Sequence, residues 1–258
     1  VGTDLGFRLY AHRGASAHLP ENTLAAFARG LADGANALEL DLHRTRDGHF
    51  VVCHDPDGRR MAGVPDRISG LTLAEVKGWD AGRGFVAADG GRSEVGRGHT
   101  VPTFAEVLEA FPGVPLSVDL KPDAPWVAPE LVELVARHGA ERSVTLASFS
   151  DRVVAAVRAC GYPGPTALTR REVGLLWLLP ASLLRGLIFG VAAHVPPRTH
   201  RLRLDTDAFL SRCRRLGLRT EYWTVNDPEV ALALVRRGAT GIMTDDPARI
   251  AARLQGSG

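Results

Sequence analysis

Residues 37–55 read ALELDLHRTRDGHFVVCHD. Leu38, Leu40 and Leu42 alternate with Glu39 and Asp41, so a strand here puts leucines on one face and carboxylates on the other. Only eight residues separate Asp41 from Phe50, with Asp47-Gly48 among them. A parallel crossover needs about a dozen residues or more, and Asp-Gly is a strong hairpin turn signal. Residues 50–53 are therefore expected to return antiparallel to the preceding strand, as an arm that carries His54 and Asp55 back toward the barrel mouth.

Outward from this hairpin the chain alternates strand and helix. Further strands are expected near residues 8–11, 116–120, 144–147, 166–168, 192–195, 220–225 and 241–244. With 37–42 that makes eight, the number that closes a parallel barrel, which takes about 250 residues in one domain. The predicted fold is α/β, a TIM (β/α)8 barrel with a β-hairpin arm and a small inserted subdomain. One domain spans 1–258, and the glycine-rich residues 56–101 form the insertion, with a short helix suggested by Thr72 and Glu75. Helix signals are legible between the strands. Asn22 is placed to cap a helix whose apolar stripe is Leu24, Phe27, Ala28 and Leu31, and Gly34 stops it. Thr103 and Glu106 have capping-box spacing, and Asp227-Pro228 and Asp246-Pro247 each set a cap before a first-turn proline.

Composition narrows the function classes. Net charge is +2 and the arginines are scattered, which argues against a nucleic-acid surface. Three cysteines are too few for a disulfide framework, and residues 1–10 show no leader pattern. A cytoplasmic protein is the expectation. Residues 173–195 are almost wholly apolar, interrupted by Pro180 and Arg185. Their length approaches the ~20 residues of a membrane span, but their place between two barrel strands favours either a buried crossover helix or an exposed apolar lip in peripheral contact with lipid.

The polar residues gather at strand ends, where barrels of this kind place their chemistry. His12 and Arg13 end the first strand, Glu39 and Asp41 the second, Asp119 and Lys121 the third, Trp223 and Asn226 the seventh, and Asp245 the eighth. Glu39, Asp41 and Asp119 offer an oxygen-only set suited to magnesium or calcium. The alternative is that they form buried salt bridges with Arg13 and Lys121. His12 and His54 titrate near neutrality and could act as acid and base. Arg13 suits a phosphate oxygen pair, and Lys121 adds a point charge. Weaker signals are Trp223 as a cavity wall, Asp245 as an orienting group for Arg13 or Lys121, and Glu21 as a support. Ser148 and Phe149 would shape the pocket, Ser150 would cap a helix, and His43 and His49 would lie exposed on the arm.

The runs His12-Arg13-Gly14, Glu21-Asn22-Thr23, Glu39-Leu40-Asp41, Thr45-Arg46-Asp47-Gly48 and Val52-Cys53-His54-Asp55 resemble the glycerophosphodiester phosphodiesterase family, of the phosphatidylinositol-phospholipase-C-like phosphodiesterase barrels. Asp119-Leu120-Lys121, Trp223-Thr224-Val225-Asn226 and Thr244-Asp245 are similar to its downstream pattern. The resemblance implies metal-dependent hydrolysis of glycerophosphodiesters to glycerol 3-phosphate and an alcohol. It implies acid–base roles for His12 and His54, phosphate contacts for Arg13 and Lys121, and a divalent cation, Mg2+ or Ca2+, on Glu39, Asp41 and Asp119. The family usually has glutamate where this chain has Asp119, one methylene shorter. The implied partner is a small-molecule glycerophosphodiester. A lysophospholipase D acting on lysophospholipids at a membrane surface is the competing expectation, since it would share the same machinery.

Overall fold

The computed structural model describes residues 6–87, 90–199 and 202–256. Residues 1–5 of the leader reading, and Ala88 and Asp89 of the insertion, lie outside the described residues. Ten strands follow in chain order: β1 (Arg8–His12), β2 (Ala37–Arg44), β3 (Phe50–Val52), β4 (Asp57–Gly58), β5 (Val64–Arg67), β6 (Leu116–Leu120), β7 (Val144–Ala147), β8 (Ala192–Val195), β9 (Arg219–Tyr222) and β10 (Gly241–Thr244). Seven of them run parallel in the order β7-β6-β2-β1-β10-β9-β8. Parallel bridges Leu146↔Thr166 and Ala167↔Ala192 link β7 to β8 and close the ring. The fold is a (β/α) barrel, as the strand count implied.

The strand expected at 166–168 is reduced to those two bridges. Pro163 and Pro165 lack the N–H a ladder needs, and Thr169 already caps the next helix, Arg170–Leu178. The strand expected at 220–225 likewise ends at Tyr222, although single bonds from Trp223 N to Val195 O and Val225 N to Met243 O continue its path.

The arm forms as the hairpin signal required. β3 lies antiparallel on β2, with Leu42↔Val52 and Arg44↔Phe50 in register. Gly48 turns the chain at φ +94°, and the Thr45 hydroxyl donates to Asp47 Oδ1 at 2.7 Å. The residues after the arm fold over it. β4 and β5 pair antiparallel, two short helices (Arg59–Ala62 and Leu73–Lys77) flank them, and Met61, Ile68, Val76 and Trp79 pack on Val51 and Cys53. The sequence signals showed only the second of those helices.

Alternation decides what faces inward. Leu38, Leu40, Leu42, Leu116, Val118 and Leu120 point outward and pack under the helices with Phe27, Phe104 and Leu131. On the other half Ala193, Val195, Tyr222 and Ile242 do the same with Phe209, Leu210 and Ile250. The opposite side chains of β2, β6, β8 and β9, among them Glu39, Asp41, Asp119, His194 and Glu221, are left to the interior.

The helix caps fall mostly as expected. Thr103 and Glu106 close a capping box, and Asp227 and Asp246 cap helices that begin with proline. Two expectations are corrected. Helix Leu24–Ala32 is capped by Thr23, not Asn22, because Asn22 is drawn inward to Asp41. Ser150 heads helix Asp151–Ala159 but makes no cap bond, because its hydroxyl donates to Asp123. Residues 173–195 are part buried and part exposed. Leu176 and Leu184 are fully buried, while Leu178, Leu183 and Phe189 are exposed. Among the described residues no helix is long and apolar enough to cross a membrane.

Gly14 sets how closely the first helix approaches β1. It has φ +86°, and a Cβ there would lie 2.5 Å from the Ala26 carbonyl carbon. Gly113 has a similar φ of +74° with nothing within 4 Å. Gly14→Ala should therefore destabilise by about 2 kcal/mol or more beyond Gly113→Ala, which carries only the left-handed backbone penalty. Urea midpoints of the two variants measure this. Equal midpoints would mean that the close crossing does not restrain the barrel.

Candidate active site

A cavity of about 480 Å³ opens at the carboxyl ends of the strands, and His12, Arg13, Glu39, Asp41, His54 and Asp119 are among its lining residues. Lys121 and Trp223 line it as well. The structure thus brings together all eight site residues expected from sequence.

Each histidine is held by a carboxylate at Nδ1. His12 Nδ1 lies 2.6 Å from Asp245 Oδ1, which also accepts from the Ser16 hydroxyl at 3.0 Å. Asn226 donates to the other Asp245 oxygen at 2.7 Å. Asp245 therefore orients His12, rather than Arg13 or Lys121 as the sequence suggested. With Nδ1 engaged, His12 Nε2 faces Glu39 Oε2 at 3.8 Å. Burial disfavours the His12 cation, but the Glu39 carboxylate and the Asp245 hydrogen bond outweigh it and raise the imidazole pKa above its ordinary value. His54 Nδ1 lies 2.7 Å from Asp55 Oδ1. His43 is buried, not exposed as expected, because its Nε2 donates to the His54 carbonyl at 3.1 Å. His49 is exposed.

An ion-pair chain joins the arm to the barrel. Arg60, in the insertion, contacts Asp55 at 2.6 Å and grips both Glu21 oxygens at 2.7 Å. Glu21 in turn accepts from Arg13 at 3.2 Å. His54 and Arg13, far apart in sequence, are thereby fixed to one another through Arg60, a residue that carried no recognisable sequence signal.

The carboxylates sit in unlike surroundings. Asp41 receives Lys121 Nζ at 2.8 Å, Arg13 Nε at 3.3 Å and Asn22 Nδ2 at 3.0 Å. Its burial favours the neutral acid, yet Lys121 and Arg13 together hold its pKa below the usual carboxylate value. Lys121 also reaches Asp119 Oδ2 at 2.7 Å. Burial opposes the Lys121 charge, but Asp119 and Asp41 push its pKa up to about 12. Glu39 has no such cation in contact. Burial and the neighbouring Asp41 charge push its carboxyl up to about 8. Glu39 Oε2 and Asp119 Oδ1 are buried with no hydrogen-bond partner. As placed, no three His, Cys, Asp or Glu side chains among the described residues converge on one metal position, since Lys121 stands between two of the carboxylates.

Beneath the cavity lies a buried polar group that sequence reasoning passed over. Glu221 accepts from the Tyr10 hydroxyl at 2.9 Å, meets His194 Nε2 at 2.6 Å and lies 3.4 Å from Arg219 Nε. The period-two alternation of the strands 192–195 and 219–222 would have marked His194, Arg219 and Glu221 as inward-facing. The far wall of the cavity is apolar, with Leu168, Val173, Val195, Leu202 and Leu204. Trp223 stacks edge-on against Phe149, ring centroids 5.8 Å apart.

The glycerophosphoryl diester phosphodiesterase family pattern matches residues 12–249. The chain belongs to this family. It is 29% identical over 248 residues to a glycerophosphodiester phosphodiesterase of Caldanaerobacter subterraneus, covering 92% of this chain and 93% of the relative. It is also 27% identical over 263 residues to a lysophospholipase D of Homo sapiens, covering 93% and 83%. The fold matches the crystal structure of a glycerophosphodiester phosphodiesterase from Agrobacterium tumefaciens with a TM-score of 0.77 at 24% identity, over 95% of this chain and 99% of that one. The family is one of phosphoric diester hydrolases, and both curated relatives align along nearly the whole barrel.

The hold of Asp245 on His12 has a measurable consequence. A carboxylate on Nδ1 stabilises the imidazolium, so Asp245→Asn should lower the His12 pKa. Titration of the histidine ring signals by NMR reads this directly. An unchanged or raised value would mean that Asp245 does not act on His12.

Proposed function

We propose that this chain hydrolyses glycerophosphodiesters to glycerol 3-phosphate and an alcohol, with His12 and His54 as its acid–base pair. The observation that carries the reading is the shared cavity. Two imidazoles, each anchored at Nδ1 by a carboxylate, line it together with Arg13 and Lys121. The two cations would take the phosphate, Arg13 through its planar fork and Lys121 as a point charge. One histidine would remove the proton of the glycerol 2-hydroxyl. That oxygen would attack phosphorus, and the bond to the alcohol oxygen would break as the other histidine protonates it. Water would then open the cyclic phosphate, with the histidines in exchanged roles. Trp223 would form a wall for the glycerol or the alcohol.

A divalent cation, Mg2+ or Ca2+, fits the donor set. Two carboxylate oxygens of that set, Glu39 Oε2 and Asp119 Oδ1, are buried without hydrogen-bond partners, and burial drives Glu39 toward its neutral form. Glu39, Asp41 and Asp119 would hold the ion through hard oxygen donors. When bound, it would neutralise charge on the phosphate. Three unpaired thiols, Cys53, Cys160 and Cys213, support a place in the reducing cytoplasm.

A specific observation also supports a lysophospholipid as substrate. The cavity wall made by Leu168, Val173, Val195, Leu202 and Leu204 offers an acyl chain an apolar surface, which a soluble headgroup ester does not need. A lysophospholipase D among the relatives is consistent with this.

Turnover on glycerophosphocholine, glycerophosphoethanolamine, glycerophosphoglycerol and lysophosphatidylcholine, with and without chelator, tests both substrates. Chelator should abolish release. His12→Ala and His54→Ala should each cut kcat by about 10²–10⁴. Near-normal turnover in either variant would remove that histidine from the mechanism. Because Glu39 must lose its proton to bind a cation, apparent cation affinity should climb as pH rises to about 8 and level off above it. A cation affinity flat between pH 6 and about 8, followed by calorimetry, would exclude Glu39 as a ligand.

A further inference from the structure

We infer that the excursion at residues 173–190 is a docking surface for anionic lipid bilayers, set beside the mouth of the cavity. It deepens the lysophospholipid reading and rests on it for its use, but its own readout is binding.

The surface is built by one helix and the chain that doubles back along it. Helix Arg170–Leu178 has nine residues, about 13 Å at 1.5 Å each. Its inward face is Glu172 and Leu176, both buried. Val173 and Gly174 line the cavity. Trp177 and Leu178 stand four residues further on, so they continue that same face away from the cavity. The chain then turns at Ala181–Leu183 and comes back to the start of the helix, where Phe189 N donates to Glu172 Oε1 at 2.7 Å. Buried Leu184 pins the middle of the return. Five large apolar side chains are left outside: Trp177 at 37% exposure, Leu178 at 66%, Leu183 at 60%, Leu187 at 45% and Phe189 at 67%. Burying leucine and phenylalanine elsewhere in this fold follows from strand and helix periodicity. Leaving five such residues outside within one short excursion does not.

Charge selects the occupant. No acidic residue occurs from Val173 to Leu204. Arg171 and Arg185 are exposed at the patch, and Arg212 donates to the carbonyls of Leu176 and Trp177 at its edge. Of the carboxylates at the start of the helix, Glu172 is buried and engaged by Arg158, and Asp151 accepts from the backbone N–H of Arg170. Apolar side chains rimmed by arginine, on an excursion that itself carries no acidic residue, match an interface where acyl chains lie beneath anionic headgroups. A surface of this kind would bring the cavity to lipids that partition into the bilayer, and the Val173–Trp177 face would give an acyl chain a continuous apolar path inward.

Co-sedimentation of the full chain with vesicles tests this. Vesicles of phosphatidylcholine containing phosphatidylglycerol should bind it, pure phosphatidylcholine should bind at least tenfold less, and added salt should weaken the binding. The double variant Leu178→Ser/Phe189→Ser should lose tenfold or more of the binding, and Arg185→Gln should lose the preference for phosphatidylglycerol. Turnover of soluble glycerophosphocholine and the thermal midpoint should stay at wild-type values in both, which separates a lost surface from a lost fold. Vesicle binding that is absent, indifferent to headgroup charge, or intact in the double variant would overturn the inference. So would a self-associating wild type that the double variant turns into a monomer, since the patch would then be covered by a second copy. Failure of the diester panel with vesicle binding intact would count against the proposed reaction and leave the surface standing.

Discussion

Asp41 is the charge on which this barrel turns. Only 1% of its side chain is exposed, and a carboxylate so placed is tolerated only when paired and hydrogen-bonded. Its partners come from three separate pieces of chain. Arg13 follows β1, Asn22 precedes the first helix, and Lys121 follows β6. Removing one partner of such a buried group typically costs about 3–5 kcal/mol. The same contacts explain a local oddity of backbone. Arg13 and Asn22 both adopt left-handed conformations, φ +58° and +57°. Arg13 N bonds the Glu39 carbonyl and Asn22 N bonds the Arg13 carbonyl, so the strained turn is held by the strand that carries the carboxylates. Strain of this order, about 1–3 kcal/mol per residue, persists because the charge network over-determines the turn.

The arm extends that logic across a large gap in sequence. A hairpin alone would place His54 near the cavity without fixing it. The arm is tied down twice, by Val52 N to the Pro102 carbonyl and by the insertion packed on Val51 and Cys53. Arg60 then connects Asp55 to Glu21 and so to Arg13. The insertion is therefore a brace for one side of the site as well as a cover. The parallel with His12 is chemical, not sequential. Asp55 is the next residue after His54, whereas Asp245 reaches His12 from the last strand, yet both carboxylates engage Nδ1.

What could be read from sequence follows from periodicity and local geometry. Seven of the eight expected barrel strands, the Asp-Gly hairpin, the proline-led helices and the inward pairing of Glu39 with Asp41 are all short-range patterns, and all appear in the fold, while the eighth strand is left as two bridges. What could not be read depends on pairs brought together only by closure of the barrel. Asn22 has the chemistry of a cap, and its neighbour Thr23 has it too; only the position of Asp41 decides which one caps. Asp245 stands four residues from Gly241 at the end of a strand in register with β1, and that register, Ala11↔Thr244, delivers it to His12 rather than to Arg13 or Lys121. His43 shares the face of Asp41 by strand alternation but stands beyond it along β2, and it is buried because its Nε2 donates to the His54 carbonyl on the arm. The resemblance to a known family reached the eight candidate residues that line the cavity, while Arg60, His194 and Glu221 belong to contacts that no short motif encodes.

The buried carboxylates differ in how their charge is offset. Asp41 faces Lys121, Arg13 and Asn22 and its pKa is lowered, so it stays ionised at moderate pH. Glu221 is equally enclosed, but His194 and Arg219 face it as ion-pair partners and Tyr10 donates to it, and its pKa is also lowered. Glu39 is enclosed without that compensation, and its pKa rises to about 8. The charges of Asp41 and Glu221 are thus offset by basic side chains that face them, and the charge of Glu39 is not. Leaving Glu39 Oε2 unpartnered, 3.8 Å from the Nε2 of a histidine whose other nitrogen is already engaged, keeps unspent electrostatic demand at the one point where His12 faces the cavity. Perturbed groups of this kind are where burial serves reaction rather than stability. The demand can be met by a proton, by a cation, or by both in exchange, which ties the charge state of Glu39 to whatever occupies the cavity beside it.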